Sequence, residues 1–530
     1  MTSFTAQSRS RGFIGIAHPI ILAVFSGILL IFSFPKFGIG LLAWVAFIPL
    51  FFAIKTTDSP RKAALYAFIT GLVAQIGLLY WISHVIVMYG YLPLYIGVLA
   101  MVLLSAAMSV YFSIFAAGVI FLRNRGFSEI VTAPLLWTIL EYLKAHLFTG
   151  FPWENLAYSQ FKYLHIIQFT DITGIYGLSF IIMFINVMVF DLVVYRQQGR
   201  KFVTELASSF VILVLILAYG QFSLHRVALE LKSAPAMEVA LIQGNMDQTI
   251  KWNPLYQKET IDIYSSLSLK KAPVGRGLIV WPETATPFFY QEILAFSRMV
   301  ANVPRLTSDW LLFGSPSYRR DGSTTYYMNS AYLLNPDGKI AGKYDKVHLV
   351  PYGEYVPLRK FFPFINKLVA GIGDFRKGES VNPLTIEGRH ALGVLICYEG
   401  IFPEISREYR AKGADLLVNI TNDAWFGNTS APYQHLSMTA LRAVENRVFF
   451  IRSANTGISA IISPTGKIMR QTDLFKRTTL KGSVKFLDRK TIYALYGDIF
   501  VYICIFLLGV ILFSSIKGDQ RLCWMKSLRK

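Results

Sequence analysis

Apolar positions along the chain fall into long runs broken by a few charged or Pro/Gly residues through the first 223 residues, and again near the C-terminus. Between Lys62 and Arg123 there is no Asp, Glu, Lys or Arg. At about 1.5 Å per residue, that interval is long enough to cross a hydrocarbon core of roughly 30 Å twice. Setting each apolar run against its breakers predicts spans near 13–34, 38–54, 63–86, 92–122, 129–148, 174–195 and 204–223, and a last one near 493–515. That makes about eight. Pro35 and Gly38–Gly40 precede the short second run, so a helical hairpin is expected there.

Basic residues orient the set. Arg9 and Arg11, then Lys55, Arg61 and Lys62, then Arg123 and Arg125, then Arg196, Arg200 and Lys201 fall on alternate connections. Lys517, Arg521, Lys526, Arg529 and Lys530 follow the last span. The positive-inside rule puts all five groups on the cytoplasmic side and 224–492 outside. No small-residue cleavage site follows the first run, so a retained anchor is expected over a signal peptide. The expected organisation is a membrane domain over 1–223 carrying the first seven spans, an outer domain over 224–492, a last helix over 493–515 and a basic tail over 516–530.

Composition agrees. The 530 residues are 54% hydrophobic and 16% charged, against about a quarter charged in soluble proteins, and mean hydropathy is +0.44. A soluble cytosolic enzyme, a disordered chain and a fibrous repeat are excluded. The net charge of +20 is read as a topology signal, since no nucleic-acid-binding motif or basic aromatic stripe accompanies it. Cys397, Cys504 and Cys523 form no disulfide framework and no CxxC or zinc spacing, so no metal or cofactor is expected. Glu141 and Lys144, three apart in the fifth run, are expected to pair on one helix face. Asp191 and Glu205 fall near cytoplasmic span ends and can reach interfacial water.

From about Met237 to Asp488, short β-branched runs alternate with charged helical stretches. Expected strands are Glu238–Gln243, Gly277–Trp281, Trp310–Phe313, Met328–Leu333, Ala391–Cys397, Asp415–Asn419, Val448–Ser453 and Ile458–Ser463. Several are continuous apolar runs, as for strands covered on both faces, which predicts an α/β sandwich. Asn335-Pro336-Asp337-Gly338 and Ser463-Pro464-Thr465-Gly466 read as tight turns between strands.

Three reactive groups follow strand ends: Glu283 after Val280-Trp281-Pro282, Lys346 after Lys343-Tyr344-Asp345, and Cys397 after Val394-Leu395-Ile396. A lone Cys is more often a small buried hydrophobe. Here the three could converge on one side of a sheet, where α/β proteins hold ligands. A carboxylate that takes the thiol proton and an ammonium facing the resulting oxyanion make Cys a usable nucleophile. Glu283 is then the general base, and Lys346 with the backbone N–H after Cys397 stabilises the oxyanion. The ordinary readings are a helix-terminal carboxylate for Glu283 and a solvated charge for Lys346. His348 and His435 are read as packing or hydrogen-bonding groups, and Asn428-Thr429-Ser430 as a loop.

Trp281-Pro282-Glu283, Lys343-Tyr344-Asp345-Lys346-Val347-His348-Leu349-Val350-Pro351-Tyr352-Gly353-Glu354 and Cys397-Tyr398-Glu399 resemble, in residue and in order, the Glu-Lys-Cys motifs of the nitrilase superfamily. Gln243-Gly244-Asn245 with Trp252, Gly150-Phe151-Pro152-Trp153 and Asn422-Asp423-Ala424-Trp425-Phe426 extend the likeness to bacterial apolipoprotein N-acyltransferases over nearly the full chain. The resemblance implies a polytopic α-helical membrane domain of about eight spans plus an extracytoplasmic α/β nitrilase-like αββα sandwich. It implies a ping-pong acyl transfer, in which Cys397 takes the sn-1 acyl chain of a phospholipid as a thioester and passes it to the α-amine of a diacylglyceryl-cysteine at a lipoprotein N-terminus. Glu354 would support Lys346, Tyr398 and Glu399 would line the pocket, and Trp252 and Tyr352 would bind substrate. The implied location is the bacterial inner membrane, with the catalytic domain periplasmic. The partners are the phospholipid donor, the diacylglyceryl-apolipoprotein acceptor and membrane lipids, without nucleic acid. No heptad appears, and a monomer is expected.

Lipid chemistry fits this layout, since burial of an acyl chain stabilises by about 0.8 kcal/mol per CH₂ and the aromatics of Val347–Phe364 could form an apolar lip. A membrane-anchored amidase or nitrilase-type hydrolase is the first alternative, although one span would anchor it. A transporter with a binding module is the second, opposed by the charge-free third and fourth spans and the lack of an inverted repeat.

Overall fold

The computed structural model describes residues 18–194, 199–270, 276–356 and 375–527. Arg9, Arg11, Arg196, Arg529 and Lys530, the start of the first expected span and positions 357–364 of the expected lip lie outside the described residues.

Among the described residues, nine α-helices precede the first strand: α1 (Pro19–Ser33), α2 (Ile48–Lys55), α3 (Pro60–Leu79), α4 (Trp81–Gly90), α5 (Leu94–Arg123), α6 (Glu129–His146), α7 (Leu164–Ile167), α8 (Thr170–Val194) and α9 (Gly199–Ser233). Ser59 caps α3 by accepting from Lys62 N–H, with Pro60 at the first helical position. On α3, Ala63, Ala67, Thr70 and Ala74 recur at helical spacing as a buried face of small side chains, against which α1 and α5 pack.

Among the described residues, five helical stretches are long and apolar enough to cross a membrane: α3, α5, α8, Leu206–Ser233 of α9 and, near the C-terminus, Ile499–Ile516. Pro19–Ser33, Gly40–Lys55 and Trp81–Gly90 are apolar but shorter. The expected 63–86 span breaks at Tyr80, where Ser83 returns both its N–H (3.2 Å) and its hydroxyl (2.7 Å) to the Tyr80 carbonyl. The 38–54 run is a 3-10 turn over Gly40–Trp44 followed by α2. α6 carries Glu129, Glu141 and Lys144 and falls outside the apolar set. α9 continues past the expected end at 223 to Ser233, supported by the Arg226–Glu230 pair at 3.1 Å.

Glu141 and Lys144 do not pair. Glu141 Oε1 accepts from Leu156 N–H (2.6 Å) and the Trp137 indole (3.1 Å), while Lys144 Nζ donates to the Trp153 carbonyl (3.1 Å). Both satisfy buried groups of the connection after α6, which costs more to leave unpaired than their own separation.

The α/β unit contains β1 (Ala236–Gln243), α10 (Gln257–Lys270), β2 (Leu278–Val280), α11 (Leu294–Thr307), β3 (Trp310–Asp321), β4 (Thr324–Leu334), β5 (Ile340–Asp345), β6 (Leu384–Ile386), β7 (His390–Ile396), α12 (Pro403–Ala411), β8 (Leu416–Thr421), α13 (Ala431–Asn446), β9 (Phe449–Ala454), β10 (Ala460–Ile462), β11 (Ile468–Gln471) and β12 (Thr478–Lys485). α14 (Ile492–Tyr496) and α15 (Ile499–Ser527) follow. Among the described residues the strands form two six-stranded sheets, ordered β12-β1-β2-β3-β4-β5 and β11-β10-β9-β8-β7-β6. β1-β2-β3 and β7-β8-β9 are parallel, and the outer pairs are antiparallel.

Alternation along the central strands fills two layers. Val239, Leu241, Leu278, Val280 and Leu312 join the core shared with Val394, Ile396 and Val418 of the other sheet. Ala240, Ile242, Ile279, Trp281, Leu311 and Phe313 instead pack with Ile261, Tyr264 and Val300 of α10 and α11. α12 and α13 cover the second sheet, and α13 also packs on α8, buried from Gln434 to Asn446.

Hydrogen bonds fix this domain to the membrane block. Arg447, in the left-handed region (φ 51°) just after α13, binds Asp171 Oδ2 at 2.8 and 3.0 Å, Gln168 Oε1 at 2.6 Å and Ser223 Oγ at 2.7 Å. The Trp153 indole donates to Gln434 Oε1 (2.9 Å), and Tyr89 OH to the Ala424 carbonyl (2.8 Å). Gly174 bends α8 at φ 64°, and a Cβ there would lie 2.6 Å from the Tyr493 ring.

Candidate active site

Glu283, Lys346 and Cys397 each stand just beyond a strand, but on two facing sheets rather than one. Glu283 follows β2 and Lys346 follows β5 of the first sheet, whereas Cys397 follows β7 of the second. Stacking the two sheets brings these ends together. Cys397 has φ 53° and opens a 3-10 turn over Cys397–Ile401, a backbone strained for a non-glycine residue and held by its surroundings. Next to Glu283, Thr284 is also left-handed (φ 46°). Gly314 of β3 lets that turn lie against the strand, since a Cβ would fall 2.5 Å from Thr284 N and 2.7 Å from Glu283 Cα.

The carboxylates are linked through an asparagine. Asn329 Nδ2 donates to Glu283 Oε1 and to Glu354 Oε1, both at 2.8 Å. Glu283 Oε2 accepts from Asn422 N–H (3.0 Å), and Glu354 Oε2 from Val350 N–H (2.8 Å). Lys346 Nζ, 1% exposed, is 2.9 Å from Glu354 Oε2 and 3.9 Å from Glu283 Oε1.

Burial pushes the Glu283 carboxyl up, and Glu354 adds to this, while Lys346 opposes it. Burial also raises the Cys397 thiol, reinforced by Glu283 and opposed by Lys346, so the resting sulfur keeps its proton. Desolvation disfavours the Lys346 ammonium, but Glu354 and Glu283 outweigh it and the lysine stays charged. A protonated thiol, a basic carboxylate and a fixed ammonium form a set able to perform nucleophilic acyl chemistry.

Glu399 is a scaffold group. Its carboxylate accepts from Tyr344 OH (2.8 Å) and from the N–H groups of Val347 (2.7 Å), His348 (3.0 Å) and Ile396 (2.7 Å), tying the Lys346 loop to the Cys397 strand. Burial pushes it up to about 7, and these donors hold its ionised form. Tyr398 OH reaches the Gly150 carbonyl at 3.3 Å, joining the loop after Cys397 to the connection after α6. Trp252 is half-buried and Tyr352 is 39% exposed; among the described residues, neither side chain is hydrogen-bonded to, or in ring contact with, Glu283, Lys346 or Cys397. Burial pushes His348 down to about 4, and its ring lies 3.8 Å from that of Phe402. His435 sits in a buried cluster, its Nδ1 3.2 Å from Asp423 Oδ1 and 2.9 Å from Arg452 Nη2. Among the described residues no group of three or more His, Cys, Asp or Glu is arranged to hold a metal ion.

Sequence reasoning missed Asn329, Lys251 and the Asn422 backbone. Asn329 carried a signal, a polar amide inside the expected strand Met328–Leu333.

Two family models match: the apolipoprotein N-acyltransferase N-terminal domain over residues 26–188 and carbon-nitrogen hydrolase over 238–492. An apolipoprotein N-acyltransferase of Geobacter metallireducens is 46% identical over 489 residues, covering 92% of this chain and 93% of that protein. This chain belongs to the apolipoprotein N-acyltransferase family. Relatives of the same name from Methylococcus capsulatus (32% identical, 90% of this chain and 92% of that one) and Haemophilus influenzae (31%, 94% and 95%) match over similar lengths. An N-terminal helical region with long apolar helices is joined to a carbon-nitrogen hydrolase domain, and the enzyme is a membrane acyltransferase.

Proposed function

We propose that this enzyme moves an acyl chain from a membrane phospholipid, through a Cys397 thioester, to the α-amine of an apolipoprotein's N-terminal diacylglyceryl-cysteine. The observation that carries this reading is the buried Glu283–Asn329–Glu354–Lys346 array beside Cys397 in a domain docked on apolar helices.

In the first half-reaction Glu283 takes the Cys397 proton as the sulfur attacks the ester carbonyl. Lys346 and the Tyr398 N–H face the oxyanion. Collapse breaks the ester C–O bond, and Glu283 returns its proton to the leaving glycerol oxygen, releasing a lysophospholipid. In the second half-reaction the acceptor amine attacks the thioester, Glu283 takes its proton, and the thiol is regenerated as the amide forms. Glu354 holds Lys346, Glu399 fixes the two loops, Tyr398 seats the nucleophile loop on the membrane block, and Trp252 and Tyr352 border the substrates. No cofactor takes part.

The proposed topology has about eight crossings of the bacterial inner membrane, with α1, the Gly40–Lys55 stretch and α6 added to the five long apolar helices and α4 continuing the α3 crossing. The membrane domain ends at about 223, and the domain over 224–492 faces the periplasm. Tyr91, Leu94, Tyr95 and Phe148 present exposed apolar side chains that suit lipid entry. The enzyme acts as a monomer.

The test is incubation of the purified enzyme with labelled phospholipid and a synthetic diacylglyceryl-cysteine peptide. Label in an amide on the peptide, lost in Cys397→Ala, is the expected result. Release of the label as free fatty acid with the peptide unmodified would favour the hydrolase reading.

A further inference from the structure

Lys251 is fully buried in the turn between β1 and α10, next to Trp252. Its Nζ donates to the main-chain carbonyl of Glu283 (3.3 Å) and to Thr284 Oγ1 (3.1 Å). Both acceptors are neutral, and among the described residues no carboxylate oxygen lies within 4.0 Å of this ammonium. A buried cation without a close counter-ion is costly, and an apolar side chain of the same length would fill the space at lower cost. Packing alone does not account for a lysine here.

We propose that Lys251 is a positioning residue for acyl transfer: its ammonium pins the strained Glu283–Thr284 turn and balances the charge of the Glu283 carboxylate. This rests on the reading of Glu283 as the base. The groups facing that carboxylate come from several elements: Asn329 of β4, Lys346 after β5, Glu354, Cys397 after β7 and the Asn422 N–H after β8. Lys346 is shared, and its closer partner is Glu354. With both glutamates ionised, Lys346 alone leaves this group one negative charge in excess, and Lys251 brings it to balance. Burial lowers the Lys251 ammonium to about 8, and Glu283 is the charge that opposes the fall. Reciprocally, Lys251 is among the groups that hold the Glu283 carboxyl down against burial. The same side chain ties the Trp252 turn to the Glu283–Thr284 turn.

The test uses the full-length enzyme in detergent with phospholipid alone, following single-turnover formation of the acyl-enzyme across the acid and neutral pH range. Lys251→Gln keeps a donor for both acceptors but removes the charge. Its acidic limb is expected to move up by about one pH unit, with a roughly tenfold loss of rate on that limb. Lys251→Arg is expected to restore the limb to its wild-type position, which a purely steric role would not do. An unmoved limb in Lys251→Gln, or a shifted one in Lys251→Arg, overturns the proposal. If Lys251→Gln does not fold, Lys251→Met is read by the same limb. Absence of any adduct on the wild type would count against the acyl-transfer reading itself and is distinguishable from either result.

Discussion

Lys346 is held by Glu354 at 2.9 Å and stands 3.9 Å from Glu283, although both carboxylates flank it. The closer contact anchors the ammonium. The longer one leaves Glu283 without a hydrogen bond from the ammonium, with Asn329 and the Asn422 N–H as its hydrogen-bond donors. A carboxylate locked in an ion pair is a poor base, so the division of labour between the two glutamates matters to the chemistry.

Replacing Glu354 tests that division. In Glu354→Gln the lysine keeps Glu283 as its remaining close carboxylate and is drawn toward it, lowering the basicity of Glu283. Acyl-enzyme formation is expected to fall by about 10², the scale seen when a catalytic group shifts by an ångström. Single-turnover kinetics with thermal unfolding as a control will show whether the loss comes without unfolding.

The pH dependence follows from burial of Glu283, which raises its carboxyl above the ordinary carboxylate range. The base works only when ionised, so the rate must fall as pH drops through that raised value. The acidic limb of acyl-enzyme formation is therefore expected above the usual range for an exposed glutamate, about 4.3. A limb at or below that value would place another group in the role of base.

Gly314→Ala addresses the geometry from a neighbouring strand. Its new Cβ would meet Thr284 N at 2.5 Å and Glu283 Cα at 2.7 Å, which are backbone atoms that cannot turn aside. The Glu283 turn must move, and activity is expected to drop at least tenfold while the fold persists. Near wild-type turnover in this variant would show that Glu283 needs no such close placement.

Arg447→Met tests the seat of the domain on the membrane block. It leaves the buried Asp171 without its guanidinium, a loss of about 3–5 kcal/mol for a broken buried pair. A clear drop in the thermal unfolding midpoint in detergent is expected. An unchanged midpoint would mean that the two parts are held mainly by apolar contact.

Much of this was legible in the sequence where one residue type has one reading. Continuous apolar runs such as Leu392–Ile396 and Leu416–Val418 marked central strands because both faces are covered. The polar outer strands β11 and β12 were not marked and β5 only at its end, Lys343-Tyr344-Asp345, since one side of each meets solvent and the alternation is weak. β6 is three residues long and gives no periodicity to read. Glu283, Lys346 and Cys397 were marked by their strand ends, yet which sheet each belongs to depends on pairings such as β7 with β8 that only the folded chain makes. Lys251 and Asn329 act through burial. Nothing in the turn around Lys251 distinguishes a lysine pointing inward from one in water.

The central claim is that Cys397 carries the acyl group. Intact mass spectrometry of the purified enzyme after incubation with phospholipid alone, beside a Cys397→Ala control, tests it directly. An added acyl mass on the wild type, removed by hydroxylamine and missing from the control, is the predicted result. A folded wild-type enzyme without that mass, or a control that gains it, would contradict the account.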